Sequence, residues 1–477
     1  MPRSTTTTNQ ELAASLQLAH WACGLRNEDL GDDAVDSAQL FVLDSVACAL
    51  GGLQQHDVRL LLDHVRELGG HAQCSVLGTT LRCDPVRAAW IQAQAIRTLD
   101  FNDIYWKADP VHPSDLIPAA LTPCELVGGS GRDLIRGVLI AYEIEMRLAE
   151  MASPGIREKG LHHATLSAFA APVAAAVMLG LPPQQVQHAI GISGAPSLCL
   201  GAVTAGALSH MKNSVDPLAT RSGVEAALLA RRGFTGPGHV LDGKEGLASC
   251  LAPLGIHLDL EHLLRDLPRG PSDRWRILDC GMKSFPIEAL MHAPVTALLG
   301  VQAEHAIPVD RVREIQVEVI ARAADILGDP AKRRPTTRET ADHSLPYCLA
   351  VALVDGEVTP RQFETARILD PSLAAVMDRV RVLPNQEFEA LFPESQPSRV
   401  TLVLRDGSTR SRRVDVPRGH PRDPMGVHDL TSKLVALCRG LLDEKRCLAL
   451  RQQILTLHSA PSVQSLFEAC LPTPDAS

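Results

Sequence analysis

The sequence predicts a mainly α protein in which a smaller α+β domain is inserted into a large all-helical domain. Apolar residues recur every three to four positions over residues 11–275, and a helical pattern returns from residue 428. Between them, two stretches alternate apolar and polar residues as half-buried strands do. A chain of 477 residues is also longer than a domain with a single hydrophobic core usually is. The predicted limits are 1–276 and 421–477 for the helical domain and 277–420 for the α+β domain.

The first part of the chain is rich in Ala and Leu and is punctuated by Gly and Pro. Its helices are predicted over residues 34–50, 85–96, 134–149, 166–179 and 222–231. The segment 166–179 is apolar on nearly every side, which is typical of a helix at the centre of a large core. The first ten residues contain four consecutive threonines and are expected to be disordered. They lack the apolar core of a signal peptide.

The second part supplies the strands. Residues 314–320 and 398–404 have strand periodicity, and the second run leads into Arg405-Asp406-Gly407-Ser408, a hairpin signal, with a return strand over 412–416. Helices are predicted over 346–354, 360–367 and 371–380. From 428 to about 471 the helical pattern is expected to rejoin the first domain.

Composition excludes several classes of protein. The net charge of -9 and the absence of a basic stripe argue against nucleic-acid binding, and the short basic runs at 231–232, 332–334 and 410–413 are interpreted as solvated surface. No apolar run reaches the roughly 18 residues of a membrane span. The 12 cysteines form no Cys-x-x-Cys pair, which argues against structural zinc and iron–sulfur clusters. A cytoplasmic protein is expected.

Residues 100–115 concentrate four aspartates, a histidine, a tyrosine and a tryptophan in one short stretch. Two prolines forbid a continuous helix, so an irregular loop between helices is predicted. Loops held by a rigid frame often carry active sites. The same residue types also serve a helix stop and a new N-cap near Ser114 or Asp115, so this stretch alone does not decide its role.

Four other places hold polar residues in apolar surroundings: 160–165, 209–214, 282–286 and 342–348. Three of them have a structural alternative: a capping histidine at 160–165, a solvent-facing lysine at 209–214 and a core tyrosine at 342–348. Together they offer Asp and His for proton transfer and lysines for binding anions. The chain has no Gly-x-Gly-x-x-Gly after a strand, no Gly-Lys-Ser/Thr and no His-Glu-x-x-His. This inventory favours cofactor-free acid–base chemistry on a small anion.

The ordered motifs resemble the MmgE/PrpD family of 2-methylcitrate dehydratases, cis-aconitate decarboxylases and related lyases and epimerases. The motifs lie at 99–103 with 112–115, 162–166, 227–237, 283–286 and 343–356. The resemblance covers nearly the whole chain. It implies a helical domain built from both chain ends, a smaller α+β domain, and a homodimer whose site lies in the cleft between domains. It also implies a small polycarboxylate substrate and no cofactor.

The resemblance implies roles for individual residues. The implied catalytic residues are Asp100, His112, His163, Lys212 and Tyr347, with Asp100 and His163 expected to form the acid–base pair. The implied substrate-binding residues are Asp103, Tyr105, His162, Lys283 and His343. No metal is expected, and the weaker alternative is a metal held by Asp100, Asp103 and His112.

The spacer before His112 and the Ser-His-Met-Lys at 209–212 resemble the 2-methylcitrate dehydratase branch, which implies a hydro-lyase forming 2-methyl-cis-aconitate. Decarboxylation of cis-aconitate or epimerisation of a related polycarboxylate by the same residues stays open. One departure from the family is Ile104, where many relatives have threonine. Ile104 is the observation that supports an alternative function of another class, that of a non-catalytic dimer that binds carboxylates.

Overall fold

The computed structural model describes residues 12–472, so the predicted disorder of the first ten residues lies outside the described range. Within that range each helix predicted in the first part of the chain overlaps an observed α-helix, although the last of them begins at Val215 rather than at residue 222. The observed helices of this part are α1 (Ala14–Gly24), α2 (Asp32–Gly52), α3 (His56–Leu68), α4 (Pro85–Arg97), α5 (Ile117–Leu126), α6 (Gly131–Glu150), α7 (Ala164–Met178), α8 (Pro183–Gly194), α9 (Val215–Arg231), α10 (Leu247–Leu251) and α11 (Leu260–Leu264).

The later helices are shorter and are interrupted by strands. They are α12 (His292–His305), α13 (Ala321–Leu327), α14 (Arg338–Ala341), α15 (Leu345–Asp355), α16 (Thr365–Ile368), α17 (Ala374–Met377), α18 (Gln386–Glu389), α19 (Val427–Leu437), α20 (Glu444–Leu455) and α21 (Gln464–Cys470). The fold is therefore mainly helical, as the sequence predicts.

The described strands form one four-stranded sheet, one three-stranded sheet and two two-stranded sheets. They are β1 (Cys74–Ser75), β2 (Arg82–Cys83), β3 (Asp103–Trp106), β4 (Pro110–Val111), β5 (Ala152–Ser153), β6 (His257–Leu258), β7 (Gly281–Met282), β8 (Val312–Val319), β9 (Val380–Pro384), β10 (Ser398–Leu404) and β11 (Thr409–Val414). The large sheet has the order β11-β10-β8-β9. Gly407 has a φ of 84° in the predicted hairpin turn, a conformation that glycine adopts without strain.

Buried apolar side chains form two separate cores. The first draws on residues between Ala14 and Met282 and between Met425 and Cys470, and the second on Trp106 and on residues between Ile287 and Val414. Helix α7 lies in the first core with every residue buried. Helix α2 is the one described helix long and apolar enough to cross a membrane, but 83% of that window is buried inside the protein. It is a core helix.

The secondary structure differs from the sequence prediction at two places in the second part of the chain. The segment 371–380 was predicted to be one helix, but α17 is four residues long and Val380 already begins β9. Strand β9 pairs in parallel with β8, a long-range partner that local periodicity does not reveal. The segment 360–367, also predicted to be one helix, is a 3₁₀ turn over Pro360–Phe363 followed by the four-residue α16. The segment 428–471 is helical as predicted and contains α19, α20 and α21.

Candidate active site

A small three-stranded sheet organises the candidate site. Strand β3 pairs with β4 through Tyr105 and Val111 and with β7 through Asp103 and Met282. Residues 100–115 are therefore a hairpin followed by a 3₁₀ turn, not the irregular loop predicted. The pairing of β3 with β7 places Lys283, the residue after β7, beside Asp100.

Asp100 is the centre of a buried ionic cluster. Its Oδ1 lies 3.0 Å from Nζ of Lys283 and 3.3 Å from Nζ of Lys212. Arg97, in the last turn of α4, also donates to the same oxygen. Asp100 itself is 1% exposed and has a φ of 48°, a left-handed conformation that is uncommon outside glycine. Such a backbone is kept only where the surroundings fix it.

The surrounding cations keep Asp100 ionised. Burial alone would raise the pKa of Asp100, but Lys212, Lys283 and Arg97 outweigh it and hold that pKa well below its usual range. Burial lowers the pKa of the Lys283 ammonium, and the nearby Asp100 carboxylate opposes that effect. A carboxyl held ionised by three cations is a poor proton donor at neutral pH.

A second carboxylate and an imidazole complete this side of the cluster. Oδ1 of Asp342 lies 2.6 Å from Nδ1 of His343 and 3.9 Å from Nζ of Lys212. Burial raises the pKa of Asp342 to about 7. Burial and then the Lys212 charge hold the pKa of His343 well below its usual range.

His163 has a carboxylate partner, Asp216. Its Nε2 is 3.3 Å from Oδ2 of Asp216, and both side chains are buried. The Ser167 hydroxyl lies 3.3 Å from Asp216 and 2.5 Å from Glu145, which continues the polar chain inward. The Asp216 carboxylate therefore fixes the orientation of the His163 ring.

The neighbouring His162 makes a hydrogen bond at the start of α7. Its Nδ1 accepts a hydrogen bond from the backbone N of Ala164, so this ring satisfies the start of α7. Burial and then the His163 charge hold the pKa of His162 well below its usual range. The choice of His163 over His162 as a candidate catalytic group therefore has a structural rationale.

His112 is oriented by the hairpin. Its Nδ1 lies 2.6 Å from the backbone oxygen of Asp103, and because a carbonyl oxygen only accepts, Nδ1 carries the proton. Nε2 is then left as the acceptor in the neutral ring. Burial and then Arg97 and Lys283 hold the pKa of His112 well below its usual range. The rings of His112 and His163 are 5.6 Å apart.

Asp103 supports the hairpin rather than facing a ligand. Both of its carboxylate oxygens accept from Ser114, one from the backbone N at 3.0 Å and one from the hydroxyl at 2.6 Å. Burial raises its pKa to about 6. The predicted substrate-binding role of Asp103 thus has no free carboxylate oxygen to support it.

Two tyrosines named from the sequence lie apart from the cluster. The Tyr347 hydroxyl donates to the backbone oxygen of Gln362 and the ring packs near Phe363, inside the second core. The Tyr105 hydroxyl donates to Glu150. Neither contact brings a phenol to the imidazoles, so their predicted catalytic and binding roles stay predictions without a supporting contact.

A cavity of about 590 Å³ adjoins the cluster. Lys283 belongs to its lining, as do Ile104, Tyr105, Met282 and His292. Burial and then Lys283 lower the pKa of His292 to about 3, and its buried Nε2 has no hydrogen-bond partner within the described residues. Ile104 presents an apolar side chain to this cavity.

Two groups of side chains have the spacing of metal ligands: His162, His163 and Asp216, and Asp100, Asp342 and His343. The second group faces Lys212 and Lys283, whose charges oppose a cation. In the first, the Arg97 Nε lies 3.9 Å from Asp216. The metal site considered from the sequence, Asp100, Asp103 and His112, is also disfavoured. Both carboxylate oxygens of Asp103 already accept hydrogen bonds from Ser114. These charges suit an anion better than a metal ion.

Sequence reasoning missed three residues of the cluster: Arg97, Asp216 and Asp342. Arg97 sits three residues before Asp100, the spacing at which helix-end residues meet. Asp216 is in the first turn of α9 and looks like an ordinary acidic residue near a helix start. The packing of α4, α7 and α9 against one another brings Arg97 and Asp216 to the site, whereas Asp342 directly follows α14.

Comparison with known proteins gives a family match along most of the chain. Residues 16–255 match the model of the MmgE/PrpD N-terminal domain, and residues 285–458 that of the MmgE/PrpD C-terminal domain. The chain is similar to a cis-aconitate decarboxylase of Aspergillus terreus, with 23% identity over 98% of both chains. A human cis-aconitate decarboxylase is 25% identical over 94% of this chain and 95% of its own. A 2-methylcitrate dehydratase of Cupriavidus necator is 26% identical over 82% of each chain.

Proposed function

The chain belongs to the MmgE/PrpD family, and from that premise we propose that it is a cofactor-independent lyase for a small polycarboxylate. The first candidate reaction is dehydration of a β-hydroxy tricarboxylate, 2-methylcitrate to 2-methyl-cis-aconitate. The observation that carries the proposal is the enclosed cluster in which Asp100 holds the ammonium groups of Lys212 and Lys283 near the imidazoles.

Lys212 and Lys283 can stabilise the negative charge that develops during this reaction. Removing a proton from carbon beside a carboxylate builds negative charge on that carboxylate. Lys212 has no hydrogen-bond partner among residues 12–472, although it lies near Asp100 and Asp342, so its protons can be directed at a ligand. Asp100 serves as the anionic anchor that fixes both lysines, a role that differs from the proton transfer inferred from the sequence.

The environments of the two imidazoles separate their roles. His112 is kept neutral by burial, and its backbone contact leaves Nε2 with a lone pair, so it is the candidate base. His163 has the Asp216 carboxylate beside it and is the candidate acid for the departing hydroxyl.

A second candidate is decarboxylation of cis-aconitate. The matches to cis-aconitate decarboxylases extend over nearly the full length of both chains. The same residues serve this reaction: loss of carbon dioxide leaves an electron pair on carbon, which a protonated imidazole neutralises by giving it a proton. The lysines again stabilise the charge on the remaining carboxylates.

Architecture and assembly belong to the same proposal. We propose that residues 277–420 form a lobe inserted into the helical domain and that the protein acts as a homodimer in the cytoplasm. Neither a nucleic acid nor a membrane is needed as a partner.

The test is to incubate the purified protein with 2-methylcitrate, citrate and cis-aconitate, following alkene absorbance and released carbon dioxide, with and without a chelator. Alkene from 2-methylcitrate without gas supports the hydro-lyase, and gas from cis-aconitate supports the decarboxylase. Lys212→Met should raise KM and lower kcat, whereas Lys244→Met, at an exposed lysine, is the matched control. No product from any of the three would contradict both reactions and favour the carboxylate-binding dimer.

A further inference from the structure

Glu145 is a buried carboxyl group that the proposed mechanism does not use. It lies in α6 and is 1% exposed. Its Oε1 lies 2.5 Å from the hydroxyl of Ser167, whereas its buried Oε2 has no hydrogen-bond partner among residues 12–472. The charged groups that act on Glu145 within that range are the carboxylates of Asp216 and Asp103, and none is a cation. An ionised carboxylate in these surroundings would be costly.

The Ser167 hydroxyl connects this carboxyl group to the candidate site. The hydroxyl lies 3.3 Å from Oδ1 of Asp216, and Oδ2 of the same carboxylate lies 3.3 Å from Nε2 of His163. Glu145, Ser167, Asp216 and His163 thus form a row of polar side chains, each in contact with the next. All four are buried, and they come from α6, α7, α9 and the residue before α7.

The number of protons in this row determines the state of Glu145. A serine hydroxyl has one proton, so Ser167 can donate to only one of the two carboxyl groups that it contacts. Burial alone would raise the pKa of Asp216, but His163 and then Arg97 outweigh it and hold that pKa below its usual range. Burial raises the pKa of Glu145 well above its usual range, and the Asp216 charge adds to that effect. Glu145 is therefore the carboxyl group with the proton.

We propose that protonated Glu145 donates to the Ser167 hydroxyl, which donates in turn to Asp216, so that Glu145 and Ser167 position the carboxylate that faces His163. This rests on the proposed function, in which His163 is the acid, and extends it by two positioning residues. With Oδ1 of Asp216 held by Ser167, Oδ2 stays directed at the imidazole. Neither Glu145 nor Ser167 belongs to the lining of the 590 Å³ cavity.

Substitutions at both positions test the hydrogen bonds. Glu145→Gln should retain most of the wild-type kcat, because a neutral amide can still donate to Ser167. Glu145→Met, which has no donor, and Ser167→Ala should each lower kcat by about 10-fold, the worth of a hydrogen bond to a charged acceptor, with KM little changed. Ser45→Ala is the matched control, since the hydroxyl of this buried helical serine donates to the backbone oxygen of Phe41.

A double-mutant cycle separates positioning from a merely structural role. In an Asp216→Asn protein, Ser167→Ala should lower kcat by less than about 2-fold, because the row acts on His163 only through Asp216. A structural role would instead lower kcat equally in both backgrounds. That result, or a folded Glu145→Gln protein as impaired as Glu145→Met, would overturn the positioning role.

Infrared spectroscopy tests the proton on Glu145 without turnover. At neutral pH the difference spectrum of the wild type and Glu145→Gln should contain the C=O band of a protonated carboxylic acid, and Ser167→Ala should shift that band. A difference spectrum with carboxylate bands alone would overturn the proposal. The acid band in a protein that turns over none of the three tricarboxylates would support the proton on Glu145 and overturn the proposed reaction.

Discussion

Replacing Asp216 by asparagine tests the proposed acid most directly. The change keeps the shape of the side chain and removes the negative charge 3.3 Å from Nε2 of His163. Arg97, which also lies near Asp216, keeps Asp100 and Asp115 as partners, so the ionic cluster is not dismantled. The variant therefore perturbs mainly the imidazole.

The expected loss of kcat follows from the distance between Asp216 and His163 and from the rate enhancement that a positioned acid provides. Unit charges 3.3 Å apart attract by about 5 kcal/mol at an effective dielectric constant of about 20. A positioned acid or base contributes roughly 10²- to 10⁴-fold to a rate. We expect kcat of Asp216→Asn to fall by about 10²- to 10⁴-fold and KM to change little, because Asp216 contacts His163 and Arg97 rather than the substrate.

The assay is steady-state turnover of the active substrate, with kcat and KM determined separately for the wild type and for Asp216→Asn. Asp242→Asn is the matched control, since Asp242 lies 3.1 Å from the exposed imidazole of His239. A folded Asp216→Asn protein with the wild-type kcat would refute the assignment of His163 as the acid held by Asp216.

Three further predictions concern the supporting structure. Tyr347→Phe should leave kcat unchanged and lower the free energy of unfolding by about 1 kcal/mol, since its buried hydroxyl donates to a backbone carbonyl; urea unfolding and turnover measure both. Because the pKa of Asp103 is raised to about 6, the folded protein binds the proton more tightly than the unfolded chain, and stability falls as pH rises from about 4 to 6. Asp103→Asn should remove up to about 3 kcal/mol of that fall in urea titrations across the window. Gly223→Ala should cost about 1–3 kcal/mol in thermal unfolding, because its Cβ would lie 2.5 Å from Cβ of Ala171, whereas Gly24→Ala meets nothing within 4 Å.

Local sequence determined much of the fold. Helices α2, α4, α6 and α7 and the β10–β11 hairpin lie where periodicity and turn residues predict them, because those signals act between residues near in the chain. The mainly helical class and the family followed from the same patterns and motifs. Strand β9 and the β3–β4 hairpin were missed, since each is defined by pairing whose strength depends on the surrounding structure.

The chemical character of the site was decided only by the tertiary structure. The sequence motifs singled out Asp100, His112 and His163, yet they gave no sign that Asp100 is held ionised by three cations or that His112 is kept neutral. They gave Asp216 no function and took Lys332, which is buried, for a surface residue. Protonation depends on burial and on charges within a few ångströms, and the chain brings those groups together from segments far apart in the sequence.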